Sequence, residues 1–320
     1  MNEILERISD IGIVPVVVIN DAKDAVPLAK ALMDGGLPCA EVTFRTAAAE
    51  QAIKEMSKAF PEMLIGAGTV LTIEQADRAI AAGAKFLVSP GLNEKVVRHC
   101  IEKGYPITPG TSNPSDVEAA LQLGLDAVKF FPAEAAGGVA MIKAMSAPYT
   151  SVKFMPTGGI NAKNINEYLS FDKIFACGGS WMVKSDMIAA GDFDGIRKLT
   201  EQAVHTMLGF ELAHVGINTE SAETAESAAK KFDDLFGFVT KDGNKSIFAD
   251  RYVEVMKMNF YGAKGHIGIA TNSVPRAVRY LKSKGVAFNE ASFAYDAKGK
   301  LKLAYLQDEI AGFAVHLTAK

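Results

Sequence analysis

Residues 113–132, NPSDVEAALQLGLDAVKFFP, contain one full copy of the pattern that decides the fold. Asn113 is a favourable residue to cap a helix, Pro114 suits the first helical position, and Gly124 suits the position after the helix ends. The β-branched and aromatic run AVKFFP (127–132) follows and predicts a strand. A helix joined to a strand by a short loop is the unit from which α/β folds are built.

The same alternation fills the chain up to about residue 208. Between the apolar runs lie Ala-, Leu-, Lys- and Glu-rich stretches with apolar residues three and four apart, which predict helices. The runs that predict strands are 13–19, 39–44, 64–70, 85–90, 106–110, 127–132, 153–158 and 174–180. Eight such units in this length predict a (β/α)8 TIM barrel, and an open doubly wound sheet is the alternative. Polar residues at the ends of the runs favour the barrel, whose active site lies there: Arg45, Thr69, Ser89, Thr108, Thr157 and Ser180.

After residue 208 the alternation stops and a weak internal repeat begins. The segment AHVGINTESAETAESAAKKFDDLFGFV (213–239) resembles GHIGIATNSVPRAVRYLKSKGVAF (265–288), and strand-like sequence follows each copy. This repeat predicts two βαβββ modules packed as one smaller α+β domain. We therefore expect a barrel domain over 1–208 and a second domain over 209–320.

Composition excludes several classes of protein. The 320 residues are 49% hydrophobic and 22% charged, which is typical of globular proteins, and the net charge of -3 gives no basic surplus for nucleic acid or an anionic membrane. Three cysteines without a CxxC pair argue against a disulfide framework. The N-terminus is acidic and its apolar run is broken by Pro15, so we expect no signal peptide, no membrane span and a cytoplasmic location.

Lys129, in the middle of a predicted strand, is the first candidate for chemistry. If it faces the barrel interior, desolvation favours its neutral amine, which is a nucleophile that forms a Schiff base with a ketone. The resulting iminium accepts electrons from a breaking carbon–carbon bond, as an amine-dependent aldolase requires. The structural alternative is a lysine that extends to solvent from a strand end.

Predicted neighbours of Lys129 support the chemical interpretation. Glu41, Thr43 and Arg45 share one face of the second strand, where a carboxylate can move protons and a guanidinium can hold a carboxylate. A buried Glu41–Arg45 ion pair is the structural alternative. Thr69 offers a neutral donor after the third strand. Glycine pairs in PTGGI (156–160) and ACGGS (176–180) after the last two strands predict a phosphate site, against the alternative of tight turns.

The motifs AEVTFRT, GAGTV, VSPG, VKFFPAE, PTGGI and GGSWMV, in this order, resemble the family of 2-keto-3-deoxy-6-phosphogluconate (KDPG) and 4-hydroxy-2-oxoglutarate (KHG) aldolases over roughly residues 1–208. The resemblance implies a class I aldolase of the Entner–Doudoroff pathway that cleaves KDPG, or KHG, to pyruvate and an aldehyde without a metal. It implies a homotrimer, with Lys129 as the Schiff-base residue and Glu41 as the general acid/base. Arg45 and Thr69 would bind the substrate carboxylate. The other implied substrate-binding residues are Pro90, Phe131, Thr157, Gly158, Gly159 and Ser180.

Histidines recur in the predicted strands of the second domain. His214 and His266 hold equivalent places in the two repeats, and Glu254 and His316 end the two modules. Three imidazoles and a carboxylate suit Zn, Ni, Mn, Fe or Co. HVGI, YVEV, HIGI and GFAVHL resemble the vicinal oxygen chelate superfamily, which includes glyoxalase I, although the final ligand there is usually Glu. That resemblance implies a metal-dependent lyase or isomerase, and the alternative is a metal-free assembly module.

Two further functions remain open from the residues alone. One is a phosphate-binding barrel with other chemistry, such as an epimerase or a metal-dependent aldolase. The other is a ligand sensor whose barrel does not turn over.

Overall fold

The computed structural model describes residues 1–320, which form two compact units, Met1–Met207 and Leu208–Lys320. None of the helices combines the length and the apolar character that a membrane crossing needs.

The first unit alternates short strands with helices. Its strands are β1 (Ile13–Val17), β2 (Cys39–Thr43), β3 (Leu64–Gly68), β4 (Phe86–Val88), β5 (Ile107–Thr108), β6 (Gly110–Thr111), β7 (Ala127–Phe130), β8 (Lys153–Pro156) and β9 (Cys177–Gly179). Its helices are α1 (Glu3–Ile11), α2 (Ala25–Asp34), α3 (Ala49–Ala59), α4 (Ile73–Ala81), α5 (Glu94–Glu102), α6 (Pro114–Gln122), α7 (Gly138–Ser146), α8 (Ile165–Leu169), α9 (Ser185–Ala189) and α10, which runs over Phe193–Leu208. Each of the eight predicted runs contains a strand, so the α/β class is confirmed.

Side-chain capping explains where several of these helices begin. The Asn113 side chain accepts a hydrogen bond from the Asp116 amide at 3.1 Å, and Pro114 occupies the first helical position of α6. Thr72 caps α4 and Asn93 caps α5 in the same way. Each cap satisfies a backbone N–H that the helix itself leaves without a partner.

All strand pairs of the first unit are parallel, and they form a curled sheet. Six strands pair in the order β5-β4-β3-β2-β1-β9, and three more in the order β6-β7-β8. Single bridges, Phe154 to Ile174 and Thr157 to Gly178, join the segment of β8 to that of β9. The predicted fifth strand is interrupted at Pro109, which has no N–H to donate to a neighbour, and therefore appears as β5 and β6. Because the strands are parallel, their carboxyl ends all lie at the same end of the sheet.

The second unit is mostly sheet, and each repeat has the predicted βαβββ order. Its elements are β10 (Glu211–Ile217), α11 (Ala222–Phe236), β11 (Thr240–Asp242), β12 (Ser246–Ala249), β13 (Val253–Met256), β14 (His266–Thr271), α12 (Val274–Ser283), β15 (Phe288–Tyr295), β16 (Leu301–Leu306) and β17 (Ala314–Ala319). The strands form one sheet in the order β11-β12-β13-β10-β14-β17-β16-β15. The first strands of the two modules, β10 and β14, are antiparallel neighbours at its centre.

Candidate functional site

Lys129 and Glu41 meet in the interior of the first unit. Lys129 is 5% exposed and Glu41 is 1% exposed, and Nζ of Lys129 lies 3.5 Å from Oε1 of Glu41. The strands that carry them, β7 and β2, are not hydrogen-bonded neighbours, so the contact crosses the space that the curled sheet encloses. The other carboxylate oxygen of Glu41 is buried and has no partner. An amine and a carboxylate are thus held together away from water.

Gly68, a residue that the sequence analysis does not single out, makes room for the Glu41 carboxylate. It lies opposite Thr43 in the pairing of β2 with β3. A Cβ atom at position 68 would lie 2.1 Å from Oε1 of Glu41 and 2.8 Å from its carboxyl carbon. The second glycine of GAGTV, Gly68, therefore allows the Glu41 side chain to lie over the neighbouring strand β3.

Further predicted residues lie close to Lys129 or near the carboxyl ends of other strands. The aromatic ring of Phe131 is 5.1 Å from Nζ of Lys129. Thr157 follows β8, and its hydroxyl is buried without a partner, as is that of Thr108 at the end of β5. Pro90 is half-buried just after β4. Buried polar atoms without a protein partner are rare in folded proteins, so these two hydroxyl groups are available to hydrogen-bond a ligand.

Arg45 and Thr69 form a polar pair at the ends of β2 and β3. Nε of Arg45 donates to Oγ1 of Thr69 at 3.2 Å. Thr69 has a φ of 59°, in the left-handed region that a β-branched residue rarely adopts. Such strain clusters at binding sites, where the surrounding structure holds it in place. Arg45 also lines a cavity of about 260 Å³ together with Ser180, Trp181 and Lys184.

The first predicted glycine pair has the geometry of an anion site. Gly158 and Gly159 have φ values of 99° and 82°, which only glycine adopts readily. The Gly158 carbonyl accepts a hydrogen bond from the Glu134 amide, and the Gly159 carbonyl accepts from the side chains of Asn161 and Asn164. The second pair differs from the prediction, because Gly178 and Gly179 lie within β9 and not after it. The nearby helices α8 and α9 span only five residues each, so the backbone N–H groups, and not a helix dipole, are what the turn offers an anion.

A hydrogen-bonded pair that sequence reasoning missed, the buried Tyr168 and the exposed Glu134, supports this turn. The Glu134 amide donates to the Gly158 carbonyl at 3.1 Å, and a Cβ atom at Gly159 would lie 2.4 Å from Cγ of Glu134. The Tyr168 hydroxyl donates to Oε1 of Glu134. Burial, with the hydrogen bond to Glu134, holds the pKa of the Tyr168 phenol well above its usual range, so the hydroxyl keeps its proton. In the sequence, Glu134 is visible only as the last residue of PAE in the motif VKFFPAE, and nothing there indicates that Tyr168 is its partner.

Comparison with known proteins now assigns the first unit. A profile of KDPG and KHG aldolases matches residues 4–199, more than half of the chain. The chain belongs to this family. It is a class I, Schiff-base aldolase and therefore a carbon–carbon lyase.

Individual relatives agree with the family match. The chain is 50% identical over 204 residues to the 2-dehydro-3-deoxy-phosphogluconate aldolase of Treponema pallidum, a match that covers 64% of this chain and 97% of the relative. It is 44% identical over 192 residues to the KHG/KDPG aldolase of Escherichia coli K12, covering 60% and 90% respectively. The KDPG aldolase of Legionella pneumophila, solved with pyruvate captured as a covalent carbinolamine, has a TM-score of 0.61 at 40% identity, over 62% of this chain and 97% of that one.

The second unit brings the four predicted ligands together, although they come from four strands. Nε2 of His214 lies 3.2 Å from Nε2 of His266 and 3.2 Å from Nε2 of His316. Oε2 of Glu254 lies 3.0 Å from Nε2 of His266 and 3.2 Å from Nε2 of His214. Nε2 of His214 has three such neighbours, but a ring nitrogen carries only one N–H or one lone pair and so can make only one good hydrogen bond. The four atoms converge on one point.

This donor set fits a divalent metal ion. Metal–nitrogen and metal–oxygen bonds of ~2.0–2.1 Å place neighbouring donors about 2.8–3.0 Å apart in octahedral coordination and about 3.3–3.4 Å apart in tetrahedral coordination, a range that contains the observed distances. Oγ of Ser246 donates to the second oxygen of Glu254 at 2.6 Å, the kind of contact that orients a metal-binding carboxylate.

The protonation states also suit ligands. Burial would raise the pKa of Glu254, but hydrogen bonds from His214, His266 and Ser246 outweigh it and hold that pKa below the usual range. Burial, followed by the neighbouring histidines, lowers the pKa of His316 to about 4. At neutral pH Glu254 is therefore a carboxylate and His316 a neutral imidazole with a lone pair available.

A cavity of about 440 Å³ opens above the four ligands. Four aromatic residues contribute to its walls, and one of them, Tyr305, packs against His316 with ring centroids 4.7 Å apart. The other aromatic lining residues are Phe248, Phe260 and Tyr261.

Proposed function

We propose that the first unit cleaves KDPG to pyruvate and glyceraldehyde 3-phosphate, and that it also cleaves KHG to pyruvate and glyoxylate. The observation that carries the proposal is the contact between the buried Lys129 amine and the Glu41 carboxylate. The names of the relatives, a 2-dehydro-3-deoxy-phosphogluconate aldolase and a KHG/KDPG aldolase, support both substrates. The residue roles below belong to the same proposal.

Lys129 attacks the C2 ketone of the substrate and forms a carbinolamine, which loses water to give the iminium. Glu41, 3.5 Å from the amine, takes and returns protons in these steps, directly or through one water. The C3–C4 bond then breaks, its electron pair moves into the iminium, and the C4 hydroxyl proton passes to the base as the aldehyde leaves. The remaining enamine is protonated at C3 and hydrolysed, which releases pyruvate and restores the amine.

Arg45 and Thr69 hold the substrate carboxylate, because a guanidinium and a hydroxyl lie side by side at the strand ends. Gly158, Gly159 and Ser180 hold the phosphate, because glycines with left-handed φ let the backbone of a turn approach an anion closely. Pro90, Phe131 and Thr157 shape the space around the reacting carbons.

We further propose that the curled sheet closes as an eight-stranded (β/α)8 barrel. The bridges between the segments of β8 and β9, and the single residue that separates β5 from β6, support closure. The homotrimer, the pathway and the cytoplasmic location stay predictions from the resemblance and the sequence.

Steady-state turnover of the full-length protein tests the aldolase proposal. Pyruvate release from KDPG and from KHG is measured for the parent, for Lys129→Met and for Lys85→Met, a matched control at an exposed lysine of the same unit. We expect turnover of both substrates by the parent and the control, and none by Lys129→Met. Full turnover by Lys129→Met would refute the mechanism.

We propose a second function for the second unit, which is binding of one divalent metal ion by His214, Glu254, His266 and His316. The donor distances and the second-sphere contact of Ser246 support it. The ion would supply Lewis acidity to a ligand in the cavity above it, as expected of a glyoxalase-like lyase or isomerase. Metal content per chain is measured by elemental analysis after chelation and reloading with Zn, Ni, Mn, Fe or Co. We expect one ion per chain in the parent and in His205→Ala, an exposed-histidine control, and none in His266→Ala; equal content in all three would refute the site.

A further inference from the structure

The two repeats of the second unit share the motif His-x-Gly, and each glycine faces the histidine of the other repeat. In the antiparallel pairing of β10 with β14, His214 lies opposite Gly268 and Gly216 lies opposite His266. Gly216 also lies opposite Glu254 on β13, and Gly268 opposite His316 on β17. Each glycine therefore stands between two of the proposed metal ligands.

This arrangement creates two gaps in the side chains of the sheet. Glu254 and His266 are carried by strands on either side of β10, and His214 and His316 by strands on either side of β14. Neighbouring strands are about 4.8 Å apart, so each ligand pair begins about 9.6 Å apart at the backbone. The donor atoms nevertheless approach to 3.0 Å in the first pair and 3.2 Å in the second. They meet above the intervening glycine, where any side chain would stand between them.

The space above each glycine is filled by a histidine ring. A Cβ atom at position 216 would lie 1.9 Å from Cε1 of His266 and 2.3 Å from its Nε2. A Cβ atom at position 268 would lie 2.5 Å from Cε1 of His214 and 2.8 Å from its Nε2. Neither glycine has a left-handed φ, so their backbone conformation suits alanine, and the imidazole ring alone forbids it.

We propose that Gly216 and Gly268 are positioning residues of the metal centre, and that the missing side chains are what allow four ligands on four strands to reach one ion. This inference rests on the proposed metal binding. Each glycine positions a different ligand pair, Gly216 the pair Glu254 and His266, and Gly268 the pair His214 and His316.

Metal affinity of the full-length protein provides the first test. Co²⁺ is titrated as the probe, because its absorption spectrum reports the coordination geometry, and Zn²⁺ affinity is measured by competition. Misplacing metal ligands through their neighbours costs about 10- to 100-fold in affinity, and we expect at least this loss in Gly268→Ala and a larger one in Gly216→Ala, where the clash is closer. Ile267→Ala is the matched control, since Ile267 neighbours Gly268 on β14 but points to the opposite face of the sheet.

Unfolding measured without metal provides the second test. If the ring of His214 is what opposes a side chain at position 268, His214→Ala should restore the midpoint of denaturation that Gly268→Ala loses. His266→Ala should likewise restore the midpoint lost by Gly216→Ala. The crossed combination of His214→Ala with Gly216→Ala should restore nothing.

The outcomes separate this inference from the metal proposal. Failure of the parent protein to bind any of the metals would overturn the metal centre and with it the role of the glycines. Normal binding by the parent, with unchanged affinity and spectrum in both alanine variants, would overturn the role of the glycines alone. Equal rescue by the matched and the crossed histidine variants would also overturn it.

Discussion

Gly68→Ala tests whether the position of the Glu41 carboxylate matters for turnover. A methyl group at position 68 would lie 2.1 Å from Oε1 of Glu41, and an ordinary contact needs 3.4 Å, so the carboxylate must retreat by about 1.3 Å. A misplacement of ~1 Å at a reacting group costs on the order of 10²-fold in rate, and we expect a fall in kcat of about this size. The Lys129 amine is untouched, so the variant should still form a Schiff base with pyruvate.

The assay compares kcat with the final yield of borohydride-trapped pyruvate in the same preparations. Gly91→Ala is the matched control, because a Cβ atom there meets nothing within 4 Å. The control should match the parent in both readouts. A Gly68→Ala variant with the parent's kcat would refute the proposed role of Glu41, and one that lost trapping as well would show that the substitution acts on Lys129.

Three further predictions concern other parts of the chain. Tyr168→Phe removes the hydrogen bond to Glu134 and so loosens the turn at Gly158. A hydrogen bond to a charged group contributes ~1.5 kcal/mol, so the KM for KDPG, which carries a phosphate, should rise about 10-fold while the KM for KHG stays unchanged. Equal effects on the two KM values would contradict the phosphate site. Burial raises the pKa of the Cys100 thiol from 9.0 to about 11, so the unfolded chain loses this proton at lower pH than the folded chain, and the free energy of unfolding should fall between pH 9 and 11. Thermal melts over this pH range should show a smaller loss of stability in Cys100→Ala than in the parent. Identical pH profiles for the two proteins would contradict this prediction. EDTA should leave KDPG turnover unchanged because Lys129 supplies the electron sink, and a loss restored by metal would favour a metal-dependent aldolase.

The sequence predicted most of the first unit because its signals are local. Asn113, Pro114 and Gly124 mark the two ends of a helix, and the spacing in AVKFFP and AEVTFRT indicates which side chains share a face. The alternation of side chains along a strand predicted that Lys129 and Glu41 could both face the barrel interior. In the structure Nζ of Lys129 lies 3.5 Å from Oε1 of Glu41. The ordered motifs pointed to a family that the comparisons confirm.

The residues that sequence reasoning missed act either by leaving space for a neighbouring side chain or through contacts between residues that are far apart in the chain. Gly68, Gly216 and Gly268 have no side chain to indicate chemistry, and their role is visible only once the neighbouring strand and its register are known. Glu134 and Tyr168 are 34 residues apart and meet only in the fold. The break of the fifth strand at Pro109 could have been predicted, since proline cannot complete a strand's hydrogen bonds.

The central claim is that Lys129 forms a covalent bond with the ketone of its substrate. The most direct measurement is peptide mass spectrometry after the full-length protein is incubated with pyruvate and reduced with borohydride. Reduction of the Schiff base adds the mass of pyruvate less one oxygen atom, and we expect this addition on the peptide that contains Lys129 and on no other. An unmodified Lys129 peptide in protein that still cleaves KDPG would contradict the account.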